Sequence, residues 1–234
     1  MIWFAGDPHG KFEHIIRLVK EQHPAAVIFL GDLECRLPLD EILASIIDLT
    51  EIWFIPGNHD VDSQAHWDNL VKSGLAHRNL HGRVAQIDGL RVAGLGGVFD
   101  QPIWRPDLHM EGFQNRKEYQ VFLQAQKLNP EVFNAKHLRY QTSIYPDEYF
   151  QLATQTADVL VTHEAPHFHP YGFVAISELA QFLEVKYAFH GHHHQHLHYP
   201  MALKAQGHEA YGVGLRCITN LNGETVFQYQ KQCA

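Results

Sequence analysis

Cysteine is scarce in this chain. Three residues in 234, Cys35, Cys217 and Cys233, stand far apart and form no CxxC pair. An odd, dispersed set argues against a disulfide-stapled scaffold and against a thiolate zinc site, and it fits a reducing, cytoplasmic setting. Long apolar runs are missing too. Stretches such as Ala25 to Leu30 are far too short to span a membrane. Met1 to Asp7 carry no basic leader followed by an apolar run, so no secretory signal is expected. Basic excess is also absent. With 18 Lys and Arg against 26 Asp and Glu, the formal charge is −8, which argues against nucleic-acid binding through overall charge. No repeat, low-complexity tract or linker is visible, and nothing points to an obligate protein partner.

What remains is the balance of a globular protein, with 45% apolar and 19% charged residues and length enough for one large domain. Histidine is unusually abundant. Its 19 copies outnumber all lysines and arginines, and imidazole is the commonest metal ligand. Placement decides what that abundance means.

Apolar runs and helical stripes alternate over the first hundred residues. Ile2–Ala5 reads as a strand ending at Gly6-Asp7, and Phe12, Ile15, Ile16 and Val19 recur at helical spacing. Ala25–Leu30 reads as a strand ending at Gly31-Asp32, followed by a helical stripe over Leu39–Ile47. Ile52–Ile55 is a third strand, ending at Gly57-Asn58-His59-Asp60. A β-α-β-α-β order implies parallel strands, whose ligand site lies beyond their carboxyl ends. A helix over Ala65–Ser73 and a hairpin, Val84–Ile87 with Leu90–Leu95, follow. Periodicity degrades from Phe99 to Ile144, where six Lys or Arg oppose four Asp or Glu between Gln101 and Gln141. That +2 stretch is a candidate substrate cap over about 99–144, or an ordinary helical surface excursion. Beyond it come a helix at Pro146–Gln155, a strand Val159–Thr162 ending at His163, a helix over Ile176–Leu183, and a strand Tyr187–Phe189 ending at His190-Gly191-His192-His193-His194. Tyr211–Tyr229 reads as a hairpin turning at Asn222-Gly223.

The strand ends thus collect Asp7, His9, Asp32, Asn58, His59, His163, His192 and His194. Carboxylate, amide and imidazole donors without thiolate suit Mn, Fe, Zn or similar divalent ions. Eight such groups exceed the needs of one ion. Two ions about 3.5–4 Å apart, bridged by a carboxylate, is the arrangement used for phosphoryl displacement. Asp7 and Asp32 alone would read equally well as turn or cap residues.

These blocks resemble the calcineurin-like metallophosphoesterase superfamily, of the small bacterial type, whose signature is D-x-H, G-D, G-N-H-[DE], a lone His and G-H-x-H. Here they stand in order as Asp7-Pro8-His9, Gly31-Asp32, Gly57-Asn58-His59-Asp60, His163 and Gly191-His192-His193-His194. The resemblance implies an α/β fold, a four-layer α/β/β/α sandwich of two mixed sheets flanked by helices. It also implies that Asp7, His9, Asp32 and His194 hold one ion and Asp32, Asn58, His163 and His192 the other. Mn, Fe, Zn or Ni would serve, with Mn favoured in vitro. Asn58 would also reach a phosphate oxygen. His59 would protonate the leaving alcohol, with Asp60 orienting its ring, while a metal-bridging hydroxide attacks phosphorus. His163 is preferred over His167 and His169 because it alone follows a strand directly.

Two departures stand out. Gly31-Asp32-Leu33-Glu34-Cys35-Arg36 places Cys35 where protein Ser/Thr phosphatases carry aspartate, and Asp60 stands where they carry glutamate. Both turn the reading away from protein phosphatases. Arg36 falls at a phosphate-clamp position, with a plain surface arginine as the alternative. The expected activity is metal-dependent hydrolysis of a phosphate ester, a nucleotide or nucleic-acid diester being possible and a diester slightly favoured over a monoester. The alternative from another class is a binding scaffold on the same fold, as in a retromer subunit, although every inferred ligand is present here. Metal storage or sensing would not require Asn58 and His59 in this register.

Overall fold

The computed structural model describes residues 1–229. Cys233 lies outside them. β1 (Ile2–Ala5), β2 (Ala26–Phe29) and β3 (Glu51–Phe54) are parallel neighbours, joined through α1 (Glu13–Gln22) and the short α2 (Leu39–Ile42). A 3₁₀ turn at Asn58–Val61 and α3 (Gln64–Val71) lead into the antiparallel pair β4 (Arg83–Ile87) and β5 (Leu90–Leu95). The stretch that follows carries β6 (Trp104–Arg105), β7 (Met110–Glu111), α4 (Arg116–Ala125) and α5 (Pro130–Arg139). α6 (Pro146–Ala153), β8 (Val159–Thr162), α7 (Val174–Phe182) and β9 (Tyr187–His190) resume the α/β alternation. The chain closes with β10 (Leu197–His198), α8 (Pro200–Gln206), β11 (Glu209–Gly212), β12 (Ile218–Asn220) and β13 (Thr225–Phe227).

Two mixed sheets result, ordered β13-β12-β1-β2-β3 and β10-β11-β9-β8-β5-β4. Successive strand residues point to opposite faces, which explains why these strands are apolar throughout. Ile2, Phe4, Ile28 and Trp53 pack inward against Val92, Val159, Val161 and Phe189 of the second sheet. Phe4 and Phe189 stack at 3.7 Å across the interface. Trp3, Ala5, Val27 and Phe29 face outward beneath Ile15, Val19 and Leu39. On the far side, Leu95, Leu160 and Ala188 pack beneath Tyr149, Leu152, Ile176 and Leu179. The layers are therefore helix, sheet, sheet, helix. Each fully buried Phe contributes roughly 1.5–3 kcal/mol, so the strands are pinned on both faces and hold their carboxyl ends in register.

Two expectations are corrected here. The stripe over Leu39–Ile47 is helical only to Ile42; beyond it bonds such as Ile46 N–H to Leu43 O, at 2.9 Å, tighten the chain into turns. Leu39, Leu43 and Ile46 are nonetheless all fully buried. Tyr211 does not join the closing hairpin. It pairs in β11 with Phe189, in the other sheet, and the hairpin is β12 with β13 alone, turning at Asn222-Gly223. Among the described residues no helix is long and apolar enough to cross a membrane.

Candidate metal centre

Asp7 and His9 follow β1, Asp32 follows β2, Asn58 and His59 follow β3, His163 follows β8, and His192 and His194 follow β9. The two sheets bring these ends to one edge. Three motif glycines are required by space. A Cβ on Gly57 would sit 2.3 Å from Asp32 Oδ1, one on Gly31 2.3 Å from His163 Nδ1, and one on Gly191 2.9 Å from Asp7 Oδ1. Asp7, His9, Asp32, His192 and His194 all adopt left-handed backbone, with φ between 39° and 70°. Such conformations cost roughly 1 kcal/mol each, a heavy total against a net stability of about 5–15 kcal/mol. Ordinary turns would use glycine or asparagine for this; clustered strain of this kind belongs to a functional site.

Two sets of donor atoms converge, and they share one carboxylate. His9, Asp32 and His194 form the first and Asp32, His163 and His192 the second, each with donors within 4.8 Å of one another. In the first, His9 Nε2 faces His194 Nε2 at 3.0 Å and Asp32 Oδ2 at 3.9 Å. His9 Nδ1 is held by Glu34 Oε1, which leaves Nε2 bare in the neutral ring. In the second, His163 Nε2 lies 3.4 Å from Asp32 Oδ1 and 3.1 Å from Asn58 Oδ1. His163 Nδ1 donates to Leu30 O at 2.7 Å, which turns its Nε2 towards the Asp32 and Asn58 oxygens. Acceptors crowded against acceptors repel unless a cation stands among them.

Orphaned oxygens support the same conclusion. Asp7 and Asp32 are fully buried, yet Asp7 Oδ2 and Asp32 Oδ2 have no hydrogen-bond partner among the described residues. Asp32 Oδ1 accepts from His59 N–H at 2.8 Å, and Asp7 Oδ1 accepts from His192 N–H at 3.0 Å. Leaving buried carboxylate oxygens bare is expensive, and oxygen and imidazole donors suit hard divalent ions. Burial pushes Asp7 up to about 7, partly opposed by His163. Burial would raise Asp32 as well, but His163 and the His59 amide hold it well below the carboxylate range. For His163 burial opposes the charge, yet Asp32 and Asp7 outweigh it and raise the imidazole to about 10. His192 is lowered to about 3 by burial, and burial also lowers His194. The buried carboxylates demand positive charge, while burial favours the neutral rings of His192 and His194.

Asp7 belongs to neither three-residue set as placed; it reaches the site through the His192 amide and lies 3.8 Å from His163 Nδ1. His167 bonds Ser177 Oγ and His169 stacks on His193 at 3.9 Å, so neither ring enters the sets. His81 lies half-buried away from the sets, where Glu148 and the Gly96 amide hold it. Burial raises the Cys35 thiol far above its usual value, which suits a core filler. Arg36 is exposed beside Gly10 and makes no hydrogen bond or ion pair among the described residues.

His59 sits half-buried beside His9, ring centroids 5.4 Å apart. Its expected orienting partner is corrected. Asp60 is fully buried, with its oxygens accepting from Gly57 N–H and Glu34 N–H at 2.8 Å, and so ties two motif loops together. Asp62 Oδ2 instead accepts from His59 Nδ1–H at 2.8 Å. Burial alone would lower His59, but Asp62 and Asp32 raise it, which favours the protonated ring near neutral pH. Glu34 and Asp62 are thus the residues that motif reading missed. Their signal was spacing, an acid two residues after Asp32 and another three after His59. In a 3₁₀ turn, i and i+3 side chains eclipse.

A family model described as calcineurin-like phosphoesterase matches residues 1–196. The chain belongs to that family. Its members use divalent metals, and membership implies metal-dependent hydrolysis of a phosphoester. The chain is also similar to an uncharacterized protein of Haemophilus influenzae, 40% identical over 228 residues and covering 97% of each. The crystal structure of TT1561 of Thermus thermophilus matches with TM-score 0.58 and 14% identity, covering 96% of each chain. At that identity the likeness concerns the fold.

Proposed function

We propose that this calcineurin-like phosphoesterase hydrolyses a phosphodiester at a two-ion centre bridged by Asp32. The observation that carries the reading is the pair of donor sets sharing Asp32, with bare buried oxygens on Asp7 and Asp32, beside the His59–Asp62 pair. His9, Asp32 and His194 would hold one ion, with Asp7 completing that set. Asn58, His163 and His192 would hold the other together with Asp32. Divalent ions there supply neutralisation of phosphoryl charge and a water of lowered pKa. The chain's own residues do the rest. Asn58 offers an amide to a phosphoryl oxygen. His59, protonated and oriented by Asp62, gives its Nε2 proton to the departing alcohol oxygen. Glu34 fixes the His9 ring, and the Leu30 carbonyl fixes His163. Arg36, exposed near His9, would meet a substrate anion only at the rim.

The diester reading rests on Gly57-Asn58-His59-Asp60 and on space. A cavity of about 550 Å³ adjoins Asn58 and His192, room for a group beyond a bare phosphate. Phe99, Asp100, Arg139 and Thr142 line it, so the 99–144 stretch acts as a cap on the substrate side. The test is hydrolysis of bis-p-nitrophenyl phosphate against p-nitrophenyl phosphate, after chelation and return of Mn²⁺, Zn²⁺, Fe²⁺ or Ni²⁺, with Asp32→Asn as blank. Metal-dependent diester cleavage that vanishes in the variant is expected. Cleavage of the monoester alone would redirect the reading to a phosphomonoesterase. Two bound ions with no turnover would favour a scaffold.

A further inference from the structure

Charge on the cavity wall is lopsided. Asp62, Asp100 and Glu164 line it, against one guanidinium, Arg139. Arg139 is already engaged, with Nη2 3.1 Å and Nε 3.3 Å from Asp100 Oδ2. Glu164 is the decisive residue. It is only 4% exposed, and its Oε1 accepts from Phe99 N–H at 3.1 Å. Its Oε2 accepts no hydrogen bond among the described residues, and the nearest imidazole nitrogen, His192 Nε2, is 4.0 Å away. With one oxygen fixed by the Phe99 amide and the other unpaired at the cavity wall, the carboxylate is free to accept from a donor that enters the cavity. The aromatic Phe99 completes that wall.

The cavity begins at Asp62, the residue that holds His59. If His59 protonates the leaving oxygen, the alcohol that departs occupies this cavity. From this placement, which rests on the phosphodiesterase reading above, we infer that the cavity is a leaving-group subsite for an alcohol carrying a protonated amine. The ammonium donates to Glu164 Oε2 and lies within the field of Asp62 and Asp100. Beyond the ion proposed at Asn58 and His192, a second phosphate or a carboxylate would meet three acids and a guanidinium already paired with Asp100. Polyphosphate-linked and polynucleotide leaving groups are therefore disfavoured, in line with the −8 charge of the chain.

Two measurements test this. The first needs no turnover. Binding of benzylamine, benzyl alcohol and benzoate to Zn²⁺-loaded protein is followed by NMR titration, in wild type, Glu164→Gln and Asp100→Asn. Benzylamine is expected to bind at least tenfold tighter than benzyl alcohol, with benzoate weakest, and Glu164→Gln to remove most of that preference. The second uses methyl 4-nitrophenyl phosphodiesters whose leaving ring carries aminomethyl, hydroxymethyl or carboxymethyl at the 2-position, each rate divided by its rate with free hydroxide. The ammonium ester is expected to lead the neutral one at least tenfold in kcat/KM, and both variants to shrink that ratio. Equal binding of amine and alcohol, or a preference that survives both variants, overturns the subsite. So does loss of one bound ion in Glu164→Gln with the amine preference intact, since Glu164 would then serve the metal. Selective amine binding without cleavage of any ester would overturn the activity and leave the subsite standing.

Discussion

The two donor sets share Asp32 but are built differently. His163 is fully buried and keyed to a backbone carbonyl, Leu30 O, while Asn58 and Asp32 close in on its Nε2. His194 is exposed, and His9 is oriented by a side chain, Glu34, that is itself only half-buried. One half of the centre is preorganised by main chain inside the sandwich; the other is finished by side chains at its rim. A rigid, desolvated set holds its geometry without reorganisation, whereas a rim set can exchange its ion. On the two-ion proposal, the inner ion should be the resident one and the outer the more labile.

Breaking both halves at once gives the largest effect. Asp32→Asn is expected to lower activity by about 10³-fold or more and to reduce the metal count, with an unchanged circular dichroism spectrum. His59→Ala is expected to slow turnover about 10²–10⁴-fold, most for poor leaving groups, while metal content by elemental analysis stays at wild-type level. Release of metal by that variant would mean that His59 is not the acid proposed.

Single-set variants then separate the halves. His163→Ala should lose one ion that excess metal does not restore, whereas His194→Ala should regain activity in millimolar metal. A His163→Ala protein that still binds two ions would direct the search to His167 or His169. Proton linkage sharpens the comparison. Asp7, raised to about 7, must lose its proton before an ion enters, so metal affinity should rise with pH through about 7. Calorimetry in buffers of different ionisation enthalpy would detect the released proton.

Smaller effects distinguish the acids around His59. Asp62 raises His59, so Asp62→Asn should lower that pKa and move the basic limb of the pH–rate profile to lower pH. Asp60→Asn should lower thermal stability without moving that limb, because its oxygens serve the Gly57 and Glu34 amides. Arg36→Ala should change kcat/KM less than about threefold, as expected for an exposed rim residue.

Much of the centre was legible in the chain. Five motif blocks each follow a short apolar run, the pattern of a buried parallel strand, and the carboxyl ends of such strands hold ligands. Asp60 and Asp62 look alike as neighbours of His59 in the chain; the 3₁₀ turn turns the first inward and eclipses the second with the ring. Apolar alternation does not say which of two stacked sheets a strand joins, and Tyr211 pairs with Phe189 rather than in the closing hairpin. The irregular stretch after Phe99 showed no period, since α4 and α5 bury few residues; of those in α4, only Tyr119 and Leu123 are buried.

The sequence alone determined the strands, the glycines and the donor residue types at the strand ends, because these follow from local patterning and from the chemistry of each side chain. Only the tertiary structure decided that His9 meets His194, that Asp32 faces both sets, and that Glu164 points one bare oxygen into a cavity walled by Asp62 and Asp100. Those pairings join residues far apart in the chain, and they exist only once burial of both sheet faces has brought the strand ends to one edge.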